Sequence, residues 1–495
     1  MQEDKPTINE NESPSKIEKD YPITLKSGFD ILLNQTALPK DFDKYQRDIL
    51  RDYHGISLLK CDYIALMDLE LLIGDEIRLV ENLDENIIGF IPNENRIAYL
   101  RIEQRNLSRI PESLGNLTAL KGLHLNQTAL KSIPRSIINL ISLETLSLME
   151  NELTTLPDFL FNLESLKDLQ LDLNEIESLS EKIGDLTSIE KISIDQNKLT
   201  SIPESIGNLE ALKSLSLSYN EIRNLPENIG KLQNLCLLNL AENQLQALPA
   251  SFGNLLSIQS INLNHNQLIS LPISIGGLSN LELIFLYKNQ LRSLPESFGN
   301  LANLKTLVIA SNSIKNLPMS FKNLKRLTRL TIDSILVPLI PENVIYSTLH
   351  ITVGYQGVLL PKADYDTLKD LENLIKEQIP LLEDGSPATF GFKVGNNSVD
   401  ILRLQNKKLT SLSDNIGNFI GLKFLDLKSN LLSFLPQSIG KLSRLSEIDL
   451  QDNPIQEIPW SLANITTLSS IILDLKTANN IPLKIKEQLP IVIKQ

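Results

Sequence analysis

LSLSYNEIRNLPENIGKLQN at 215–234, LNLAENQLQALPASFGNLLS at 238–257 and INLNHNQLISLPISIGGLSN at 261–280 superimpose without a gap. Their shared frame, L-x-L-x-x-N-x-L-x-x-L-P-x-x-I-G-x-L, recurs every 23 residues and runs from Ile192 to Pro318 with no insertion or deletion. Outward from that stretch, the residue at the frame's L-P position recurs at Ile110, Ile133, Leu156, Leu179, Ile202, Leu225, Leu248, Leu271, Leu294, Leu317 and Ile340, about eleven units in one register. A fixed period of this length marks a solenoid, in which each unit hides its apolar side only against its neighbours. L-x-L alternates as a short half-buried strand does, and Pro-x-x-Ile-Gly reads as a return turn or short helix opening on proline, whose missing N–H does no harm there. Stacked units give a parallel sheet on the inner, concave side; with strands about 4.8 Å apart, eleven of them span on the order of 50 Å.

The frame decays after Leu330, where ILVPLIPENVIYSTLHITVGYQG has lost the asparagine and the regular leucines, as the end of an array should. A second event follows. DYDTLKDLENLIKEQI from Asp364 matches DYIALMDLELLIGDEI from Asp62 at an offset of 302 residues, and the same offset carries Gly55 onto Gly357, Gly89-Phe90 onto Gly391-Phe392 and Gly115-Asn116 onto Gly417-Asn418. Both segments read as amphipathic helices. In the first, Tyr63, Leu66, Leu69, Leu72, Ile73 and Ile77 lie at helical spacing and Asp62 is placed as the N-cap. The expected organisation is an acidic disordered tail at 1–20, a helical cap region at 21–97, a first array at 98–353, a second cap helix and lead-in at 354–399, and a short second array with its own end at 400–495. The second array's L-P positions are Leu412, Leu435, Ile458 and Ile481.

Composition narrows the classes. A formal net charge of −13 and a pI near 5.0 disfavour attraction to nucleic acid or anionic membrane and favour basic partners. The opening MQEDKPTINENESPSKIEKD lacks the apolar core of a secretory signal, no later run approaches a membrane span, and two cysteines, Cys61 and Cys236, suit a reducing compartment. The expected location is cytoplasmic.

On these residues the chain resembles the leucine-rich repeat family, specifically its intracellular 23-residue class found in Ras-suppressor-like scaffold proteins. The asparagines Asn151, Asn174, Asn197, Asn220, Asn243, Asn266, Asn289 and Asn312 sit on that family's ladder position, with Arg105, Thr128 and Lys407 departing from it near the start of each array. The repeated cap-plus-array module also looks like leucine-rich repeat proteins predicted in archaea. The resemblance implies a horseshoe of two arrays, each preceded by a cap helix, that binds protein on the concave sheet. By family analogy alone, the alternative is a regulator of a small GTPase or ubiquitin-type pathway.

Enzyme signatures are not found in the sequence. Gly230-Lys231 and Gly440-Lys441 are followed by leucine and belong to the frame, so neither completes a phosphate-binding loop, and His54, His124, His265 and His350 show no metal-ligand spacing with the cysteines. The reading is a non-enzymatic interaction scaffold with no cofactor. The asparagines are assigned to the scaffold, because a carboxamide both donates and accepts and can satisfy inward backbone groups. The residues that point away from the core flank the leucines of L-x-L. Along the array they form an acidic strip, Asp168, Asp172 and Asp195 with Gln170 and Glu150 nearby and Lys191 opposing, and then an apolar zone, Leu237, Leu283, Phe285, Tyr287 and Val308, with Tyr219 and Lys288 at the strand exits. His124 and His265 are placed at exposed positions. A basic protein or peptide is the expected partner, with Phe285 and Tyr287 as anchors. The competing reading has a terminal segment or the second array cover the apolar zone; oligomeric state is left open.

Overall fold

Each frame unit builds one three-residue strand and one five-residue 3-10 helix, as in Ser214–Ser216 and Glu227–Lys231. The proline stands just before the helix, Pro226 at φ −67°, so it fixes the entry angle and does not occupy the first helical position. Glutamate at the helix start serves the next unit: the Glu227 carboxylate accepts the backbone N–H of Ala250 at 3.3 Å and of Ser251 at 3.1 Å. Glycine near the helix end is steric, because a Cβ on Gly253 would lie 2.0 Å from the carbonyl oxygen of Ser274 in the following unit.

The computed structural model describes residues 49–82, 88–107, 109–348, 350–383, 388, 390–481 and 487–494, and the account concerns the compact unit Leu50–Gln495. The expected tail at 1–20 and the cap region before residue 49 lie outside the described residues. Among those described, fifteen strands make one sheet and six a second. From Tyr99–Arg101 to His350–Gly354 the first sheet is parallel, and through the array each strand pairs with the residues 23 positions on, as in Ser214↔Leu237 and Leu237↔Ser260. The frame's leucines and isoleucines fill one continuous core from Tyr53 to Val344, and a separate core runs from Tyr355 to Leu489.

The asparagines do the structural work assigned to them. Asn243 donates to the carbonyls of Leu217 at 2.9 Å and Leu240 at 3.2 Å, and accepts the N–H of Ile222 at 3.0 Å. Each such residue ties its own strand exit to the preceding one and satisfies inward backbone groups that would otherwise be orphaned. At the departing position Thr128, a hydroxyl donates to Asn151 Oδ1 at 2.9 Å and so joins the ladder. Immediately before each asparagine the chain must turn sharply, and Gln196, Tyr219, Glu242, His265 and Lys288 all take left-handed backbone with φ of 53–55°.

The duplicated module is exact in register. Hairpin Leu50–Tyr53 with Ile56–Leu59 and helix Lys60–Ile73 recur as Thr352–Tyr355 with Val358–Pro361 and helix Lys362–Ile375. The strand pair Gly89–Asn93 and Arg96–Arg101 recurs as Gly391–Gly395 and Ser398–Arg403, with the irregularity at the same place. Two expectations are corrected. Ile77 is buried but lies beyond the helix, which ends at Ile73, and Asp62 does not cap it: the N-cap is Leu59. Asp62 instead sits fully buried in the first turn, accepting the N–H of Ile97 at 2.8 Å and an N–H of the Arg96 guanidinium at 3.1 Å, so it latches the helix to a strand 34–35 positions on. The second module does not begin after a linker. Strand His350–Tyr355 pairs in parallel with Arg329–Asp333, the last unit of the first array, and antiparallel with Val358–Pro361 of the second hairpin.

Candidate functional site

Register sets two outward rows on the concave face. Leu237, Ser260, Leu283, Thr306 and Arg329 follow one another in the first, and Asn239, Asn262, Phe285, Val308 and Thr331 in the second. Leu283, Phe285 and Tyr287 are alternate residues of one chain segment and therefore share the solvent side, with Val308 beside Phe285 on the next strand. These four form a contiguous apolar seat in which every member is half-buried by its neighbours. Leu237, 49% exposed, lies two strands away, and Tyr219, 56% exposed, stands at the exit of the strand before that. With that much surface free, Leu237 and Tyr219 are not covered by any of the described residues.

Sequence reasoning named Lys288 and His265 but missed Glu242, Asn264 and the contacts that fix the seat's edge. His265 packs its ring edge-on to Tyr287 at 5.5 Å, its Nδ1 lies 3.1 Å from Glu242 Oε1, and Lys288 Nζ lies 5.4 Å from the Tyr287 ring centre. The Tyr287 N–H donates to Asn264 Oδ1 at 2.7 Å, which holds the backbone of the strand exit. His265 is thus partly covered, not simply exposed; Glu242, one unit back at the same frame position, was the available signal.

The acidic strip is at the other end, with Asp168 five strands from Leu283, roughly 24 Å at the usual strand spacing. All three of its carboxylates are engaged within the chain, Asp168 the least, by the Gln170 amide at 3.3 Å. Asp172 accepts the Ser193 hydroxyl at 2.6 Å and the Asp195 N–H at 2.7 Å; Asp195 in turn accepts the Ser216 hydroxyl at 2.8 Å and the Ser218 N–H at 2.5 Å. Burial raises the Asp172 carboxyl above the ordinary range, opposed by those two bonds, and burial likewise raises Asp168, opposed by the Gln170 amide and Lys191. His124, expected to be exposed, is half-buried beside Arg101; burial first and the guanidinium second lower its pKa to about 4, so it is neutral at pH 7. Along the strand-entry edge, ion pairs alternate between units: Glu144–Lys167 at 2.8 Å, Glu190–Lys213 at 2.7 Å and Glu282–Lys305 at 2.7 Å.

Among the described residues no group of three or more His, Cys, Asp and Glu side chains could hold a metal ion, and no helix is long and apolar enough to cross a membrane.

The fold and this face define a class: a parallel-sheet solenoid that offers an open inner surface. The sequence profile of the family described as leucine-rich repeat region matches residues 56–201 and 197–288. The chain is a leucine-rich repeat protein. No curated protein matches it. Among solved structures it is similar to the leucine-rich repeat ectodomain of a receptor kinase of Arabidopsis thaliana, solved in complex with CASPARIAN STRIP INTEGRITY FACTOR 2, at 24% identity and a TM-score of 0.58. That match covers 83% of this chain and 53% of the ectodomain, so the chain spans about half its length. A leucine-rich repeat protein of Leptospira interrogans matches at 25% identity over 83% of this chain and 79% of the other, with a TM-score of 0.44. Leucine-rich repeat proteins are in general protein-interaction scaffolds.

Proposed function

We propose that this chain is a non-enzymatic scaffold that holds a protein segment on the concave sheet of its first array, with Phe285 and Tyr287 as anchors. One observation carries the reading. Along the row that holds Phe285, the preceding units place Ser147, Gln170, Ser193, Ser216, Asn239 and Asn262, so the fold is built repeatedly without a large apolar group there. Phe285, with Val308 next to it, is an addition the scaffold does not need, and clustered aromatics of this kind are the common anchors of interfaces. The net charge of −13 favours a partner that is basic overall. Asp168 is the member of the acidic strip whose carboxylate is least committed within the chain; Asp172 and Asp195 serve the sheet first. A cytoplasmic role in signal transduction fits the two free thiols. The test is affinity capture with wild type and with the double variant Phe285→Asp/Tyr287→Ala, its fold checked by circular dichroism. The same proteins should be captured by wild type and lost from the variant; undiminished capture by an intact fold overturns the reading.

A further inference from the structure

The strand that joins the two modules has counterparts elsewhere in the chain, and each counterpart leaves one edge open. Strand His350–Tyr355 lies between Arg329–Asp333, to which it runs parallel, and Val358–Pro361, to which it runs antiparallel. The 302-residue offset carries Thr352–Tyr355 onto Leu50–Tyr53, yet among the described residues Leu50–Tyr53 pairs only with Ile56–Leu59. The edge that meets an array in the second copy of the module therefore meets no described strand in the first. Val353 is fully buried, whereas Arg51 in its place is exposed, as are Asp52 and Leu50, the last at 44%. At the end of the second sheet, Ile491–Lys494 pairs in parallel with Ser470–Asp474 as His350–Gly354 does with Arg329–Asp333, and no described strand takes its outer edge. There Ile493, standing where Val353 stands at the end of the first array, is 48% exposed, and Val492 is 41% exposed.

We infer that these two edges meet between copies of this chain, Ile491–Lys494 of one copy lying parallel to Leu50–Tyr53 of the next. Backbone parity fits. Ile471 N–H donates to Pro490 O at 2.8 Å, so Pro490, Val492 and Lys494 turn toward their own sheet, and Ile491 and Ile493 turn their N–H and C=O groups outward. In the hairpin, Leu59 N–H points away from its partner strand to Asn95 O at 2.9 Å, so the residue opposite it, Leu50, faces outward too, and so does Asp52 two positions on. With equivalent positions opposite, as in Ser214↔Leu237 of the array, Ile493 N–H donates to Leu50 O and Ile493 O accepts from Asp52 N–H. The same register sets Val492 beside Leu50 and Lys494 beside Asp52, one apolar pair and one pair of opposite charge. Arg51 falls opposite Ile493, a poorer match than Val353 makes inside the chain, so the contact between copies is weaker than the internal ladder and reversible. Short edges that carry charge pair badly with arbitrary strands, which leaves the matched ends to select each other. The contact is heterologous, and it adds copies head to tail in a row or closes them in a ring.

The test is sedimentation velocity of the full chain from about 1 to about 200 μM, where mass action must show as a sedimentation coefficient that rises with concentration. Disulfide trapping of Leu50→Cys/Val492→Cys, made in a Cys61→Ser/Cys236→Ser background and oxidised as a mixture of isotopically light and heavy chains, should give oligomers whose digest joins position 50 of one chain to position 492 of another. Asp52→Lys and Lys494→Glu should each weaken association roughly fivefold at low salt, and the two together should restore it. Ile493→Pro removes a donor that faces outward and none that faces Ser470–Asp474, so it should abolish association with the far-ultraviolet circular dichroism unchanged. A single-chain species at every concentration, disulfides within one chain only, or equal trapping by Leu50→Cys alone, which reports like edges meeting, overturns the inference. So does association that survives Ile493→Pro, or that the double charge swap fails to restore.

Discussion

The two copies of the cap module differ at one buried carboxylate, and that difference predicts opposite effects of one substitution. Asp62 and Asp364 are both fully buried, and each accepts the N–H of a following strand at 2.8 Å, Ile97 and Val399. Asp62 also faces the Arg96 guanidinium at 3.1 Å. At the matching place the second module has Ser398, whose hydroxyl donates at 2.7 Å to the oxygen that already accepts from Val399, and Asp364 Oδ1 is buried with no hydrogen-bond partner. Asp62→Asn removes one member of a largely buried ion pair and should cost about 2–4 kcal/mol. Asp364→Asn removes a buried charge that has no counter-ion, at the smaller cost of an unsatisfied amide, and should stabilise its module by about 1–2 kcal/mol at pH 7. The sign with pH follows from burial, which raises the Asp364 carboxyl above its unfolded value against the bonds from Ser398 and Val399. The native module then binds its proton more tightly than the unfolded chain, so its stability increases as pH falls through the folded pKa, and the advantage of asparagine shrinks over the same interval. Because repeat arrays do not unfold in two states, the assay is hydrogen exchange read by mass spectrometry on peptides covering Lys60–Ile73 and Lys362–Ile375 separately. Asp364→Asn that loosens the second helix as Asp62→Asn loosens the first, or a gain that does not change with pH, would refute the reasoning.

Asn243→Ala should lower the local stability of its unit by about 2–5 kcal/mol, since it orphans the Ile222 N–H and the Leu217 carbonyl inside the solenoid; exchange at Ile222 is the direct readout. His124→Gln should flatten the acid limb of the stability curve: a histidine held at about 4 against an ordinary value of 6.5 contributes stability above pH 6.5 that is lost as pH falls to 4, up to about 3 kcal/mol, measured as the urea midpoint at pH 7 minus that at pH 4.5 for both proteins.

The repeat frame was legible because its signal is one-dimensional: a leucine recurring every 23 residues must lie on one face, whatever its neighbours do. The 302-residue duplication was legible for the same reason, and so was the side on which Phe285 and Tyr287 emerge. What escaped the sequence depended on partners set by folding. Asp62 has the composition of an N-cap, and only the approach of Arg96 and Ile97 makes it a latch. Asp172 and Asp195 look like free surface charge until Ser193 and Ser216, 21 residues later, turn their hydroxyls onto them. His265 looked solvated because Glu242 and Tyr287, which flank it, belong to the units on either side.

Strand His350–Tyr355, shared between the last unit of one array and the first hairpin of the next module, has a mechanical meaning. A chain with a slack tether between bodies yields first at the tether when pulled. Here the junction is a ladder of backbone hydrogen bonds on both sides of one strand, so tension passes from Asp333 to Val358 through the sheet itself. Whatever separates the arrays must break one of these two ladders, and each half would keep an open edge where the other had been.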